Sequence, residues 1–337
     1  MRSRLAVVAA LAAVLAAGAA GAETCLKPSD LDQKNTVSLH VIDVGQADAL
    51  ALTCQDGSIG MIVDSGDKKE QAGFARMKAY LSKLAERSPK KRSVPLFVAT
   101  HPDADHIGGG SWVLSEFSVK TFLDNGMPVG TKTYLNLRAL AQKQAAAAGL
   151  SYVHAGGSER SFDVCPGVKA EVVSPADLFS SCENKNECSV VMKVTYGAVS
   201  FLLTGDAGKV QEGVLISDDD ANPKLGSSVL KVGHHGSLSS TTQEFVSSVR
   251  PACAVVSSGK PGEGSNERYS HPRLPVVKRL LDSVRYDRPA PAVIRAFDKK
   301  AAEFKKLPHS KCVYHTAADG TVVFSTDGKK LACEAGK

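Results

Sequence analysis

The sequence predicts a single α/β domain, and three observations support this prediction. Short runs rich in β-branched residues alternate with stretches whose apolar residues recur at helical spacing. Strand-type runs occur in both halves of the 337-residue chain, with no internal repeat or low-complexity linker between them. Several of these runs end in clusters of glycine, aspartate and histidine. The chain is long enough for one large domain with a substantial core.

Residues 1–22 have the pattern of a secretory signal peptide. Arg2 and Arg4 precede the apolar run 5–17, and the small residues 20–22 form a cleavage site. The alternative is an uncleaved membrane anchor, but so short an Ala-rich run is marginal for spanning ~30 Å of hydrocarbon. We therefore expect an exported mature domain over 23–337, either periplasmic or secreted, with no stable membrane insertion after cleavage.

Charge and hydropathy argue against an integral membrane protein and exclude few other functions. The formal net charge is +6 and includes Arg2 and Arg4, so the mature chain is only mildly basic. Such a charge tolerates a polyanionic substrate without indicating one. No other segment is long and apolar enough to cross a membrane.

The cysteine content predicts disulfide bonds. All eight cysteines follow residue 22, and an even number in an exported chain is typical of disulfide pairing. Cys312 and Cys333 flank a hairpin-like segment, and Cys182 and Cys188 bracket a polar loop, so both are candidate local pairs. A structural zinc site is less favoured because the sequence has no close Cys-x-x-Cys pair.

The first half of the chain contains four predicted strands and two predicted helices. The strand-type runs are TVSLHVIDVG (36–45), DALALTC (48–54), GMIVDSG (60–66) and VPLFVAT (94–100). The helical stretches 71–88 and 135–150 each have one apolar face, and Gly149 ends the second helix. The basic run PKKRS after the first helix is interpreted as solvated loop, with a nucleic-acid patch as the alternative.

The second half contains a further series of predicted strands. They are VKAEVVSP (168–175), SVVMKVTYG (189–197), VSFLLTGDA (199–207), SVLKVGHHGS (228–237) and CAVVSSG (253–259). The last three end in polar or glycine residues. A hairpin is expected at the C-terminal end, over about 310–334.

The segment THPDADH concentrates four metal-binding side chains directly after a buried strand. His101, Asp103, Asp105 and His106 lie within six positions. A turn leaving the strand can present two of them to each of two neighbouring metal ions. The alternative is that the aspartates cap a helix beginning near Ile107. A cap accounts for one aspartate but not for two histidines, so metal binding is favoured.

More candidate metal ligands follow other predicted strands. Asp206 ends FLLTGDA, where its carboxylate could bridge two ions. The adjacent His234 and His235 follow an apolar strand and a glycine, a position more typical of a site than of paired surface histidines. His271 lies between Ser270 and Pro272.

These segments, taken in order, resemble the metallo-β-lactamase fold. The motifs are HVIDVGQADALAL, MIVDSG, THPDADHIGG, FLLTGDA, LKVGHHGS and YSHP, and they span residues 37 to about 326. They look most like the soluble hydrolase domain of ComEC-type bacterial competence DNA-uptake proteins. The resemblance implies a four-layer αβ/βα sandwich with a dinuclear metal site at one edge of the two sheets.

The resemblance also implies roles for individual residues. His101 and Asp103 would bind one ion, Asp105 and His106 the other, and Asp206 would bridge them. His234 or His235 would supply at least one further ligand, and both remain candidates. Residues expected to buttress or line the site are Asp43, Gln46, Asp48 and Asp64.

Two departures from the broader superfamily pattern narrow the chemistry. Asp103 stands where the superfamily usually has a histidine, which gives a more oxygen-rich site in which Mn²⁺ is plausible beside Zn²⁺. A second histidine of that pattern is replaced by the segment ENKNECSVV, in which Asn186 and Ser189 match the competence branch.

The favoured function is an exported metal-dependent phosphodiesterase or nuclease that acts on DNA. Two divalent ions against three aspartates leave the site mildly positive, which suits a phosphodiester attacked by a hydroxide between the metals. Asp105 and His271 are the candidate catalytic residues, with His271 contacting phosphate or protonating the leaving group. Lys260 and Arg268 could clamp phosphate, although solvated loop charges are the alternative.

Three alternatives remain. Similar secreted domains act on phosphorylcholine esters of cell-wall polymers. A β-lactamase is less favoured because Asp103 and the bridging Asp206 suit phosphoesters better than lactams. A non-catalytic, metal-containing envelope binding module would bind metal tightly without hydrolysis.

Overall fold

The computed structural model describes residues 23–181 and 183–336. Within them, two large β-sheets lie face to face and helices cover the outer face of each, giving four layers in the order α, β, β, α. This arrangement confirms the predicted α/β sandwich. The predicted signal peptide and Cys182 lie outside the described residues. Among the described helices, none combines the length and apolar character needed to cross a bilayer.

The strands form two large sheets, one from the first six strands and the last two, and the other from most of the strands between them. In chain order they are β1 (Val37–Val41), β2 (Leu50–Thr53), β3 (Ile59–Val63), β4 (Ser93–Val98), β5 (Ser118–Asp124), β6 (Ser151–His154), β7 (Ser161–Cys165), β8 (Val168–Val172), β9 (Met192–Tyr196), β10 (Val199–Leu203), β11 (Val229–Lys231), β12 (Cys253–Val256), β13 (Asp287–Asp298), β14 (Glu303–Lys311), β15 (Val313–His315), β16 (Thr321–Thr326) and β17 (Leu331–Gly336). The first sheet has the order β17-β16-β1-β2-β3-β4-β5-β6, and the second has the order β15-β12-β11-β10-β9-β8-β7.

The helices lie mainly between strands of the two sheets. They are α1 (Gln71–Arg87), α2 (Ala104–Ile107), α3 (Gly110–Glu116), α4 (Lys132–Ala148), α5 (Leu178–Ser181), α6 (Lys209–Ser217), α7 (Asn222–Leu225), α8 (Gln243–Val249), α9 (Asn266–Tyr269), α10 (Leu274–Ser283) and α11 (Thr316–Asp319). The two long predicted helices correspond to α1 and α4.

Strict alternation of apolar side chains assembles the layers. In β4, Leu96 and Val98 point into the core between the sheets, whereas Phe97 points toward the outer helices. Successive side chains of a strand face opposite sides of the sheet, so a strand covered on both faces is apolar throughout. The outer core of the first sheet packs against α1, α3 and α4.

A two-stranded arm, β13–β14, lies outside both large sheets. The sequence did not predict it, nor did it predict the strands β5, β6 and β7. The predicted C-terminal hairpin forms over β16 and β17. The strand β15 also falls in the predicted range, but it pairs in parallel with β12 of the second sheet.

Disulfide bonds connect distant parts of the chain. Cys25 pairs with Cys333, Cys54 pairs with Cys165, and Cys253 pairs with Cys312. The expected Cys312–Cys333 pair is therefore wrong. Because β15 runs beside β12, it brings Cys312 next to Cys253 instead. Cys188 is disulfide-bonded as well.

Candidate metal centre

Strands of both sheets end at a common edge and bring the predicted site residues together. In the first sheet, β3 is followed by Asp64 and β4 by His101. In the second sheet, β10 is followed by Asp206, and β11 by His234 and His235. The pairs β3–β4 and β10–β11 are parallel, so the carboxyl ends within each pair lie at one edge.

Four of the predicted metal ligands form a compact cluster. Asp105, His106, Asp206 and His235 each place one potential ligand atom within 4.8 Å of the others. Nε2 of His106, Nε2 of His235 and Oδ1 of Asp206 are buried without a hydrogen-bond partner. Because buried polar atoms are normally paired, this convergence fits a bound cation. Imidazole and carboxylate ligands suit Zn²⁺ and Mn²⁺.

Asp64 fixes the orientation of the His106 ring. Nδ1 of His106 lies 2.7 Å from Oδ2 of Asp64, and the same carboxylate accepts hydrogen bonds from the amide and hydroxyl of Thr100. Nε2 of His106 therefore faces Asp206. Burial alone would lower the pKa of His106, but the carboxylates of Asp206 and Asp64 raise it well above its usual value.

The sequence left open which of His234 and His235 binds metal, and the geometry distinguishes the two. Nδ1 of His235 donates to the carbonyl of Ser257 at 2.8 Å. Its Nε2 then faces Asp105 at 3.3 Å and Asp206 at 3.6 Å. Burial lowers the pKa of His235, but the carboxylates of Asp206 and Asp105 outweigh burial and raise it to about 10. His235 thus lies inside the cluster.

His234 lies at the rim of the cluster. Its Nδ1 contacts the hydroxyl of Ser239 at 2.9 Å, and its Nε2 lies 3.2 Å from the amide nitrogen of Asn186. The Nε2 atom is also 3.8 Å from Asp206. Both His234 and His235 have left-handed backbone conformations, with φ of 46° and 53°. Such strained positions are found mainly where a site requires them.

His101 and Asp103 form a looser group beside the cluster. Nε2 of His101 is buried without a hydrogen bond and lies 3.7 Å from Asp103 and 3.9 Å from Asp206. Asp103 precedes α2, but its side chain makes no capping hydrogen bond. It pairs instead with Lys185. Burial, together with the charge of His106, lowers the pKa of His101 to about 4.

A buried ion pair lies beneath His235. Nζ of Lys231 is 2.7 Å from Oδ2 of Asp48, and both side chains are almost completely buried. Oδ1 of Asp48 lies 3.5 Å from Nδ1 of His235. Burial raises the pKa of Asp48, but Lys231 and His235 together outweigh burial and hold it below its ordinary value. Asp48 therefore stays ionised under the cluster without lining the pocket.

The segment after β8 holds Asp206 in place. The hydroxyl of Ser189 accepts a hydrogen bond from the backbone amide of Asp206 at 3.1 Å. Ser189 is itself held by Gln211, whose side-chain oxygen accepts from the Ser189 amide. Asn186 in the same segment contacts His234 and lines the pocket.

Gln46 and Asn266 position His271. The amide nitrogen of Gln46 donates to Nδ1 of His271 at 3.2 Å, while its oxygen accepts from the Gly259 amide. Asn266 bonds both the amide and the carbonyl of His271. Burial, with the charges of His235 and His234, lowers the pKa of His271 to about 3. His271 is therefore a neutral imidazole whose Nε2 carries the proton.

These side chains surround an open pocket of about 430 Å³. Its lining includes Lys69, Lys185, Asp105, Asp206, Tyr269 and His271. Three other predicted site residues, Asp43, Lys260 and Arg268, lie outside the pocket lining. Asp43 forms a partly exposed ion pair with Arg76. Lys260 pairs with Glu263, and Arg268 lies against the Tyr269 ring.

Sequence reasoning missed several residues of this site, among them Lys185, Lys231 and Asn266. Lys185 lies in a polar loop, Lys231 ends an apolar strand, and Asn266 begins the short helix α9 after a glycine-rich loop. Of these three, only Lys231 carried a signal, because a buried lysine in an apolar strand needs an acidic partner. Lys185 and Asn266 act through contacts that no local pattern records.

A family model and two curated relatives match this chain. The profile of the Metallo-beta-lactamase superfamily matches residues 42–260. ComE operon protein 3 of Bacillus subtilis (strain 168) is 28% identical over 251 residues, covering 72% of this chain and 30% of that protein. Recombination protein 2 of Haemophilus influenzae is 28% identical over 256 residues, covering 73% of this chain and 27% of that protein. The chain thus spans less than a third of the length of these relatives.

Among solved structures, the metallo-beta-lactamase fold protein YhfI from Bacillus subtilis aligns with a TM-score of 0.43 and 12% sequence identity. The alignment covers 75% of this chain and 95% of that chain.

Proposed function

Because the chain belongs to the metallo-β-lactamase superfamily, we propose that it is an exported phosphodiesterase that cleaves DNA. The fold of this superfamily implies a metal-dependent hydrolase. The described residues contain three disulfide bonds with both partners described, which favours an oxidising compartment outside the cytoplasm.

The charge of the pocket is the observation that carries this proposal. Four aspartates and two lysines line it, so two divalent ions would bring its net charge to about +2 with neutral histidines. The lysines are Lys69 and Lys185. A phosphodiester carries one negative charge on each phosphate, which complements such a pocket. The scissile amide of a lactam is uncharged and would not use this charge to the same extent.

The proposed metal set follows the two groups of ligand atoms. Asp105, His106 and His235 would hold one ion, His101 and Asp103 the other, and Asp206 would serve both. Two divalent ions bound there would activate water for attack and stabilise negative charge on the phosphate.

The protein's own side chains would position the substrate. Neutral His271 would donate from Nε2 to a phosphate or leaving oxygen, since Gln46 occupies its Nδ1. Its lowered pKa favours this contact over proton donation by an imidazolium. Asp105 has a partly exposed carboxylate in the pocket and would accept a proton from the attacking water. Lys185, which pairs with Asp103, would either release this carboxylate to bind phosphate or contact both groups at once.

The preference for DNA rests on the relatives. One of them is named a recombination protein, and the resemblance to competence proteins points the same way. The pocket is open at its mouth, and the Tyr269 ring lies nearly parallel to the His271 ring at 5.9 Å. An exposed ring at this position suits stacking of a nucleobase.

The test is hydrolysis by the oxidised mature protein loaded with Mn²⁺ or Zn²⁺. The substrates are single- and double-stranded DNA, bis(p-nitrophenyl) phosphate, p-nitrophenyl phosphorylcholine and a chromogenic cephalosporin, with Asp206→Asn as the inactive control. We expect cleavage of DNA and of the simple diester, lost in the variant. Activity confined to the choline ester would replace DNA with cell-wall polymers as the substrate. Metal binding without turnover of any substrate would contradict an enzymatic function.

A further inference from the structure

The arm formed by β13 and β14 has one face against the domain and one face exposed. Ile294 and Ala296 are buried, whereas Arg295 between them is exposed. In the antiparallel register, Arg295 lies directly opposite Lys306. Two like charges in this position destabilise a strand pair unless an anion or another partner compensates them.

No acidic side chain in the described part of the chain lies within ion-pair distance of Arg295 or Lys306. Their neighbour Lys305, on the other face of the arm, pairs with Asp298 at 2.6 Å. Lys311 pairs with Asp287 at the base of the arm. The exposed face of the arm thus keeps two cations uncompensated while lysines elsewhere on β14 are paired.

Arg295 and Lys306 line a groove of about 390 Å³ together with Lys260 of the loop after β12. Glu263 is the one carboxylate in the groove lining. His315 also lines it, but burial lowers the pKa of His315 to about 4, so it is neutral at physiological pH. The lining therefore has a net charge of about +2 before any ligand binds.

The groove and the metal pocket lie on opposite sides of one loop. Residues 260, 261 and 263 face the groove, whereas Ser265, Tyr269 and His271 line the metal pocket. A strand held at the metal centre would therefore have to cross only this short loop to enter the groove. The two sites together form a path for a ligand that carries several negative charges.

We propose that this groove is a second anion-binding site, which holds the backbone of single-stranded DNA beside the phosphodiester at the metal centre. It takes phosphate through Arg295, Lys306 and Lys260, and it rests on the proposed function for the identity of the polyanion. Arg295 supplies a fork of N–H donors that matches phosphate oxygens, and the lysines act as point charges. Small diesters reach the metals without touching the groove.

The test compares two double variants that remove the same charge from the same arm. Arg295→Gln/Lys306→Gln changes the groove, whereas Lys299→Gln/Lys300→Gln changes the turn of the arm, outside the groove lining. Binding is measured by fluorescence anisotropy with metal-loaded full-length mature protein. The probe is a labelled phosphorothioate oligothymidylate, which resists hydrolysis. Hydrolysis of bis(p-nitrophenyl) phosphate is measured on the same samples.

We expect the groove variant to raise the Kd for the oligonucleotide about tenfold and to reduce the slope of log Kd against log salt by about 1.4. The turn variant should retain most of the affinity, and both variants should hydrolyse the small diester as the wild type does. Equal weakening by both variants, or by neither, would overturn the proposal. So would a lack of oligonucleotide binding by the wild type.

Two further outcomes separate this proposal from the proposed function. If the wild type binds the oligonucleotide through the groove but hydrolyses no diester, the phosphodiesterase function fails and the DNA-binding groove stands. If poly(glycerol phosphate) displaces the oligonucleotide as efficiently as unlabelled DNA, the assignment of the groove to DNA is overturned.

Discussion

Oδ1 of Asp206 lies 3.2 Å from Nε2 of His106, and both atoms are buried. His235 approaches the other oxygen of the same carboxylate. In Asp206→Asn the charge that balances these rings is lost, so we expect metal affinity to fall by more than about 100-fold while the fold is retained. Competition with a chromogenic chelator and metal content after gel filtration measure this. Unchanged metal content would remove Asp206 from the ligand set.

Asp64 offers a test of how His106 is held. In Asp64→Asn the acceptor for Nδ1 of His106 is weakened, and we expect metal affinity to fall about 10- to 100-fold. Asparagine tolerates the left-handed backbone at this position, where φ is 57°, so the fold should persist. Asp43→Asn is the matched control, because Asp43 pairs with Arg76 outside the pocket. Equal losses in both variants would contradict a specific role for Asp64.

His40 should make the protein sensitive to acid. It lies between the hydroxyls of Tyr80 and Thr53, and burial lowers its pKa to about 4. The unfolded chain takes up this proton below about pH 6.5, whereas the folded chain does so only near pH 4, so stability is lost as the pH falls through this window. At about pH 5 the loss is about 2 kcal/mol.

Urea unfolding of the wild type and His40→Gln, with metal removed, measures this contribution. The variant cannot gain the charge, so its free energy of unfolding should fall less between neutral pH and about pH 5. Parallel pH profiles for the two proteins would show that His40 does not contribute.

The Cys54–Cys165 bond connects the two large sheets, since Cys54 follows β2 and Cys165 ends β7. Its sequence separation of 111 residues makes it a strong constraint on the unfolded chain. Cys54→Ala/Cys165→Ala should lower the free energy of unfolding by about 2–4 kcal/mol. Urea titration measures the change, and bis(p-nitrophenyl) phosphate hydrolysis should persist. A loss below about 0.5 kcal/mol would mean that packing between the sheets needs no such link.

Local patterns were sufficient to predict the α/β class and to name most of the clustered side chains, whereas the four-layer sandwich was implied by the family resemblance. The spacing of His101 to His106 after a buried strand is contained in one short segment, so its convergence could be expected. The choice between His234 and His235 could not be predicted. It depends on the hydrogen bonds that orient the two rings, from His235 to Ser257 and between His234 and Ser239, and neither partner is identifiable from the segment GHHGS.

The arm escaped prediction for a chemical reason. Pro289 and Pro291 in β13 and Pro308 in β14 cannot donate ladder hydrogen bonds, which argues against strands in a sequence pattern. They are tolerated because the arm is a separate two-stranded sheet with a register shift between Asp287 and Ala292. The cysteine pairing escaped for a different reason, since it depends on which sheet each strand joins.

The Cys25–Cys333 bond joins residues 308 positions apart and turns nearly all of the described chain into a covalent ring. A protease that cuts one surface loop of this ring therefore cannot release a fragment. The cut protein migrates as one molecule until a reductant opens the ring. In an environment rich in proteases, a single nick would leave both sheets, and the side chains they gather at their shared edge, attached to each other.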